Sequence, residues 1–73
     1  MGSIRRCGAH KVVIDGEAEL TQAVVEIMGD RVVNYYEFRD ELPMTEWLGG
    51  LIEVRTDSEG IRRAYHQGQM LSE

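Results

Sequence analysis

Apolar and polar residues alternate over short pieces of this chain, and turn residues separate the pieces. A first strand over residues 6–14 ends in Val12-Val13-Ile14 and stops at Asp15-Gly16. Residues 22–28 and 31–38 flank Gly29-Asp30, and a glycine at the first central position suits a two-residue type II′ turn, whose twist matches that of the strands it joins. That turn sets Ile27 opposite Val32, Val25 opposite Asn34 and Ala23 opposite Tyr36 on one face. Val24 then opposes Tyr35, and Glu26 opposes Val33, on the other. Residues 39–44 read as a polar crossing in which Pro43 excludes a central strand. Residues 51–56 and 61–66 form a fourth and a fifth strand joined by Asp57-Ser58-Glu59-Gly60, and Gln69-Met70-Leu71 adds a short edge strand after Gln67-Gly68.

One segment supports a second reading. Leu20, Ala23, Val24 and Ile27 fall at helical spacing before Gly29, so residues 17–28 also fit an amphipathic helix with a glycine C-cap. The adjacent β-branched valines and the Gly-Asp turn favour strand. The expected fold is all-β: five or six short antiparallel strands forming a partial sandwich or an open barrel, with α+β as the alternative. Residues 1–73 make one small domain, with loose ends at residues 1–5 and 72–73.

Composition narrows the function classes. A chain of 73 residues buries only about 60% of its unfolded surface, which leaves a small core. The net charge of −5 is uneven: residues 1–11 carry +3, residues 15–59 carry −9 and residues 61–73 carry +1. That acidic middle repels a phosphate backbone, and neither Arg5-Arg6 nor Arg62-Arg63 makes a basic stripe, so no nucleic-acid partner is expected. No apolar stretch approaches the roughly 20 residues that span a bilayer, so no membrane role is expected and the cytoplasm is the default location. The single Cys7 has no partner for a disulfide or a CxxC site and reads as a reduced thiol packed in a strand.

The order of pieces carries a resemblance. A strand ending VVIDGEAEL, the hairpin AVVEIMGDRVVNYY, an acidic crossing and then TEWLGGLIEV together resemble the N-terminal portion of the amidohydrolase superfamily of metal-dependent hydrolases. The resemblance covers residues 10–54 and implies the small β-sandwich that packs beside that family's catalytic barrel. Gly50-Leu51-Ile52-Glu53 stands where the family's Gly-Leu-Ile-Asp leads into a His-x-His metal pair. Here Val54, Arg55 and Thr56 follow, with no histidine among them. The second turn reads Gly-Asp where the family prefers Asp-Gly. The nineteen residues after Val54 are far short of the ~250 that a barrel takes. The resemblance therefore implies the module without its active site, and it carries over no catalytic residue.

The remaining candidates concern contact rather than chemistry. Trp47, with Leu48 beside it, reads either as the cap of a small core or as an anchor for a partner. Tyr35 and Tyr36 point to opposite faces of one strand, so one is available for docking. His10, His66 and Cys7 show no metal-ligand spacing, and no cofactor is expected. Glu37, Asp40, Glu41 and Glu46 read as a solvated face. Gly49-Gly50 lacks the Lys and Ser/Thr of a phosphate loop, and a bulge or close backbone approach accounts for it. No catalytic, metal or cofactor residue is assigned. The expected function is a non-catalytic module for protein interaction or self-association, with Trp47, Tyr35, Tyr36 and Leu48 as contacts. The alternatives are a small-ligand binder and a subunit that completes a hydrolase in trans.

Overall fold

A computed structural model describes residues 3–39 and 44–73. The part of the crossing that contains Pro43, with Asp40 and Glu41, lies outside the described residues. Seven strands follow in order: β1 (Arg5–Ile14), β2 (Ala18–Met28), β3 (Arg31–Glu37), β4 (Thr45–Trp47), β5 (Leu51–Thr56), β6 (Arg62–His66) and β7 (Gln69–Met70). The fold is all-β. β2 runs as strand through the segment that also fitted a helix, because its backbone pairs with β1 along one edge and β3 along the other while Ala23, Val25 and Ile27 turn together into the core.

The strands form a single mixed sheet in the order β3-β2-β1-β5-β6-β7, with β4 also against β1, and the sheet is not closed into a barrel. The neighbours of β1 depart from a purely antiparallel arrangement. β4 and β5 both run parallel to it, pairing Gly8 with Trp47 and Lys11 with Leu51. Between those pairs β1 advances three residues and the opposite line advances four. The extra residue makes a bulge at Gly49-Gly50, where both glycines have positive φ. Hydrogen bonds from Leu48 N to Gly8 O and from Lys11 N to Gly50 O stitch the interruption. β4 escapes a sequence reading because three residues are too few to show alternation. Its parallel pairing has no hairpin to announce it.

The β2–β3 hairpin follows the expected register for two pairs only. Met28 opposes Arg31 and Ile27 opposes Val32, then the register shifts so that Glu26 meets Asn34, Val25 meets Tyr35 and Val24 meets Tyr36. Gly29 has φ 66° while Asp30 is not in the positive region, as a type II′ turn requires. Without the shift, Asn34 would face the core and leave its amide unsatisfied there. One extra residue sends Val33 and Asn34 outward and turns Tyr35 in beside Val32.

β1 and β2 bend together. Cys7 and Ala9 face the core, but so do Val12 and Ile14, which is possible only if the strand reverses faces across exposed His10 and Lys11. β2 makes the same reversal at Gln22, whose φ of 53° is a left-handed conformation for a non-glycine residue. Pairing keeps its register on both sides of the bend. The sheet thereby curls around one cluster of Cys7, Val12, Val25, Ile27, Ile52 and Val54, with Leu20, Tyr35 and Leu48 at its margin. Leu71 joins that core, its N–H donating to Ala64 O at 2.8 Å.

Residues 3–5 and 72–73 make hydrogen bonds to one another and to the β2–β3 turn. Glu73 exchanges backbone and side-chain hydrogen bonds with Gly29 and accepts from Ser3 Oγ, and Arg5 donates to Ser72 O. Separately, Arg62 stacks on the Tyr35 ring and Arg63 reaches Asp30 at 3.5 Å, which joins β6 to β3 and to the β2–β3 turn.

Candidate functional site

The residues away from the core define an outer face. Register places Gly8, Val24 and Tyr36 side by side on it, with Trp47 next to Gly8. Gly8 is small for a reason: a Cβ there would lie 3.0 Å from Trp47 Cε3. The indole rests on that bare backbone, and His10 and Phe38 meet it edge-on with centroids at 5.0 Å and 6.1 Å. Phe38 is held there because its N–H donates to Gln22 O, so the left-handed bend of β2 helps to aim an aromatic at Trp47. Val24 is fully buried although it lies on this outer side, between Gly8 and Tyr36. Trp47 itself stays 49% exposed.

An apolar row passes through this point. Met44, 86% exposed, shares a shallow groove of about 350 Å³ with Ile4, upstream of Trp47, and the rest of that groove is lined by Ser3 and the charged Arg5, Arg6, Glu46 and Glu73. Leu51, downstream, is 43% exposed. Ion pairs flank the row: Arg6 with Glu26, Lys11 with Glu19 and Arg55 with Glu53. In the first, the guanidinium hydrogen bond from Arg6 holds the Glu26 carboxyl below its usual range, and the Tyr36 hydroxyl donates to the same oxygen at 3.0 Å. Burial, then the hydrogen bond that it donates to the Glu26 carboxylate, pushes the Tyr36 phenol up.

The sequence-derived contact residues separate onto two faces. Trp47 and Tyr36 belong to the outer face, whereas Tyr35 and Leu48 pack against the core cluster. No single surface therefore contains all four. Ile4, Met44 and Leu51 were missed because an isolated exposed hydrophobe carries no sequence signal; only the parallel pairing of β4 and β5 with β1 aligns them.

No protein-family model matches the chain, and no curated protein or solved structure matches it. The amidohydrolase resemblance of residues 10–54 thus stands on its sequence motifs alone.

The chemical candidates have separate partners. His10 packs on Trp47, while His66 Nε2 donates to Gly49 O at 3.2 Å. Among the described residues no group of three or more His, Cys, Asp or Glu side chains is arranged to hold a metal ion. No helix among them is long and apolar enough to cross a membrane. Burial pushes the Cys7 thiol up to about 11, against the opposing effect of Arg5, and its Sγ lies 3.7 Å from Glu46 Oε2. Arg5 bonds Glu46 and holds that carboxyl below its usual range. A cleft of about 260 Å³ beside Leu48, Gly49 and His66 falls below the ~300–1,000 Å³ of ordinary small-molecule sites.

Proposed function

We propose that this chain is a non-catalytic β module whose outer face docks protein. The observation that supports this reading is the apolar row Ile4, Met44, Trp47 and Leu51, which stays exposed beside a core that the same sheet has packed closed. Half-exposed tryptophan on a rigid strand is the residue type that dominates interface energetics, and its surroundings of paired charges resemble an interface rim. The amidohydrolase-like motifs fit the same reading, since they imply the accessory β portion and not the catalytic one.

Site-specific photo-crosslinking tests it. A benzoylphenylalanine at position 47 is expected to give protein adducts in cells expressing the chain, whereas the same group at position 59, in the exposed Asp57–Gly60 turn, is expected to give none. Adducts at both positions alike, or at neither, overturn the reading.

A further inference from the structure

Residues 69–73 are seated by contacts that reach across the fold. Gln69 opposes His66, Met70 opposes Tyr65, and the Leu71 N–H extends that ladder to Ala64 O at 2.8 Å. The Leu71 side chain is buried in the core. Beyond it, Arg5 donates to Ser72 O, the Glu73 N–H donates to Gly29 O, and the Glu73 carboxylate accepts from Gly29 N at 2.9 Å and from Ser3 Oγ at 2.6 Å. Ser3, Arg5, Gly29 and Ala64 thus frame a slot for an extended segment with a leucine inward and a carboxylate two residues on. Only Gln67 and Gly68 tie the occupant of that slot to β6. Gln67 has φ 54° and Gly68 has φ 80°. Glycine takes such a conformation without steric cost, whereas a residue with a Cβ is disfavoured there by roughly five- to thirtyfold.

We infer that residues 69–73 exchange between two copies of this chain, each copy's segment filling the other's slot. The exchange uses neither Trp47 nor the outer face, so it is independent of the docking reading above. Register makes the exchanged form direct to build. The ladder that joins residues 64–66 to residues 69–71 is uninterrupted, so straightening Gln67 and Gly68 continues it, with Gln67 of one copy opposite the partner's Gly68 about a twofold axis. All the contacts of Leu71, Ser72 and Glu73 are remade with the slot of the second copy. What is given up is the left-handed turn itself. Relief of the strained Gln67 counts twice in each dimer and works against the entropy of association, which is why a short hinge under strain invites exchange.

The β1–β2 turn has the same two-residue form but cannot serve as such a hinge. Its first residue, Asp15, has φ 53°, and aspartate is one of the residue types that tolerate the left-handed region. The Asp15 carboxylate also accepts from Thr56 N at 2.6 Å and from Thr56 Oγ1 at 2.8 Å, which anchors that turn to β5. The strands on either side of it have 10 and 11 residues. β7 has only 2 residues in the sheet, so few contacts break when its segment leaves, and it opens without the rest of the fold.

Sedimentation velocity on the full chain, refolded from urea at each concentration from about 5 to about 500 µM, tests the inference. The expected result is a monomer–dimer equilibrium. Gly68→Val, which puts a β-branched residue at φ 80°, should strengthen the dimer at least about thirtyfold, because each dimer avoids two such turns. Gln67→Asn eases the closed turn and should weaken the dimer about fivefold. The exchanged segment is located with Ser3→Lys, whose ammonium a zero-length carbodiimide couples to the Glu73 carboxylate. In the isolated dimer that link should join two chains, and in the monomer it should stay within one. A monomer at every concentration for wild type and for folded Gly68→Val, a dimer indifferent to both turn substitutions, or links confined to single chains in the dimer overturns the exchange. If Gly68→Val fails to fold, Gln67→Asn and the Ser3→Lys link decide. A dimer that Trp47→Arg abolishes and the turn substitutions leave unchanged also overturns it, and assigns self-association to the outer face instead.

Discussion

Replacing Gly8 by alanine separates the position of Trp47 from the stability of the fold. The new Cβ would stand 3.0 Å from Trp47 Cε3, 3.3 Å from Cζ3 and 3.6 Å from Thr45 Cγ2. Carbon atoms in contact prefer about 3.5–4.0 Å, so the ring must lift by roughly 0.5–1 Å. The ring is half exposed, which gives it room to move, with His10 and Phe38 as its aromatic neighbours. Trp47 buries about half of its surface, or roughly 100 Å², which at ~25 cal/mol per Å² puts ~2.5 kcal/mol at stake. A gap of that size forfeits a quarter to a half of the contact energy, so the loss is about 1 kcal/mol. Gly8 does not have a positive φ, and alanine at such a site recovers ~0.4–1 kcal/mol by restricting the unfolded chain. The two effects nearly cancel. Urea unfolding of Gly8→Ala should therefore give a stability within about 1 kcal/mol of wild type. The emission of Trp47, the only tryptophan, should nonetheless shift to the red and become more accessible to acrylamide. Wild-type emission with raised stability would refute the packing argument, as would the same stability change in a Trp47→Ala background, where the clash no longer exists.

Other consequences are equally direct. Gln67 and Gly68 both have positive φ, 54° and 80°, which defines a type I′ turn. Asparagine suits its first position better than glutamine, so Gln67→Asn should raise the urea midpoint by about 0.5 kcal/mol equivalent, and a lowered midpoint contradicts that geometry. Glu26 and Glu46 titrate below their usual range through Arg6 and Arg5. Their contribution is therefore present above the unfolded carboxylate pKa of ~4.3 and is lost as pH falls through the folded values. Thermal scans should show melting temperature declining below about pH 4.5, and Glu26→Gln should flatten the decline; a profile that is flat to pH 3 contradicts the assignment. Cys7 is fully buried, with its thiol raised to about 11, so a disulfide reagent at pH 8 should modify it only at the rate of unfolding, and rapid labelling of native protein would contradict its burial. The same shift makes stability decline above about pH 9, where the unfolded thiol ionises first.

Much of the fold was legible because its local signals agree. Alternation and turn residues locate β1, β2, β3, β5, β6 and β7 to within a few residues, and Gly29-Asp30 places the hairpin correctly. What escaped was determined by contacts between distant residues. The bulge at Val33 exists to keep Asn34 out of a core that the local sequence does not reveal. β4 exists because β1 offers a free edge, and the paired reversal at His10 and Gln22 breaks the rule that residues two apart share a face. For the site, Trp47 was recognisable by type. Its neighbours on the surface were not, because Ile4 and Leu51 are forty-seven positions apart in the chain and are aligned only through β1.

The placement of β1 also bears on how the chain reaches this state. It precedes the other six described strands and pairs with β2 through one tight turn, yet its other edge waits for residues 45–54. Closing that long loop must precede any gain from the parallel ladders, which makes the mean sequence separation of contacts large and folding slow, in the range of milliseconds to seconds. A nascent chain holding only β1, β2 and β3 presents Cys7, Val12 and Val25 without Ile52 and Val54 over them, a sticky intermediate that lasts until the second half arrives. Stopped-flow refolding followed by Trp47 emission should accordingly lag the hairpin signal in circular dichroism, and coincident traces would show that both halves of the sheet assemble in one step.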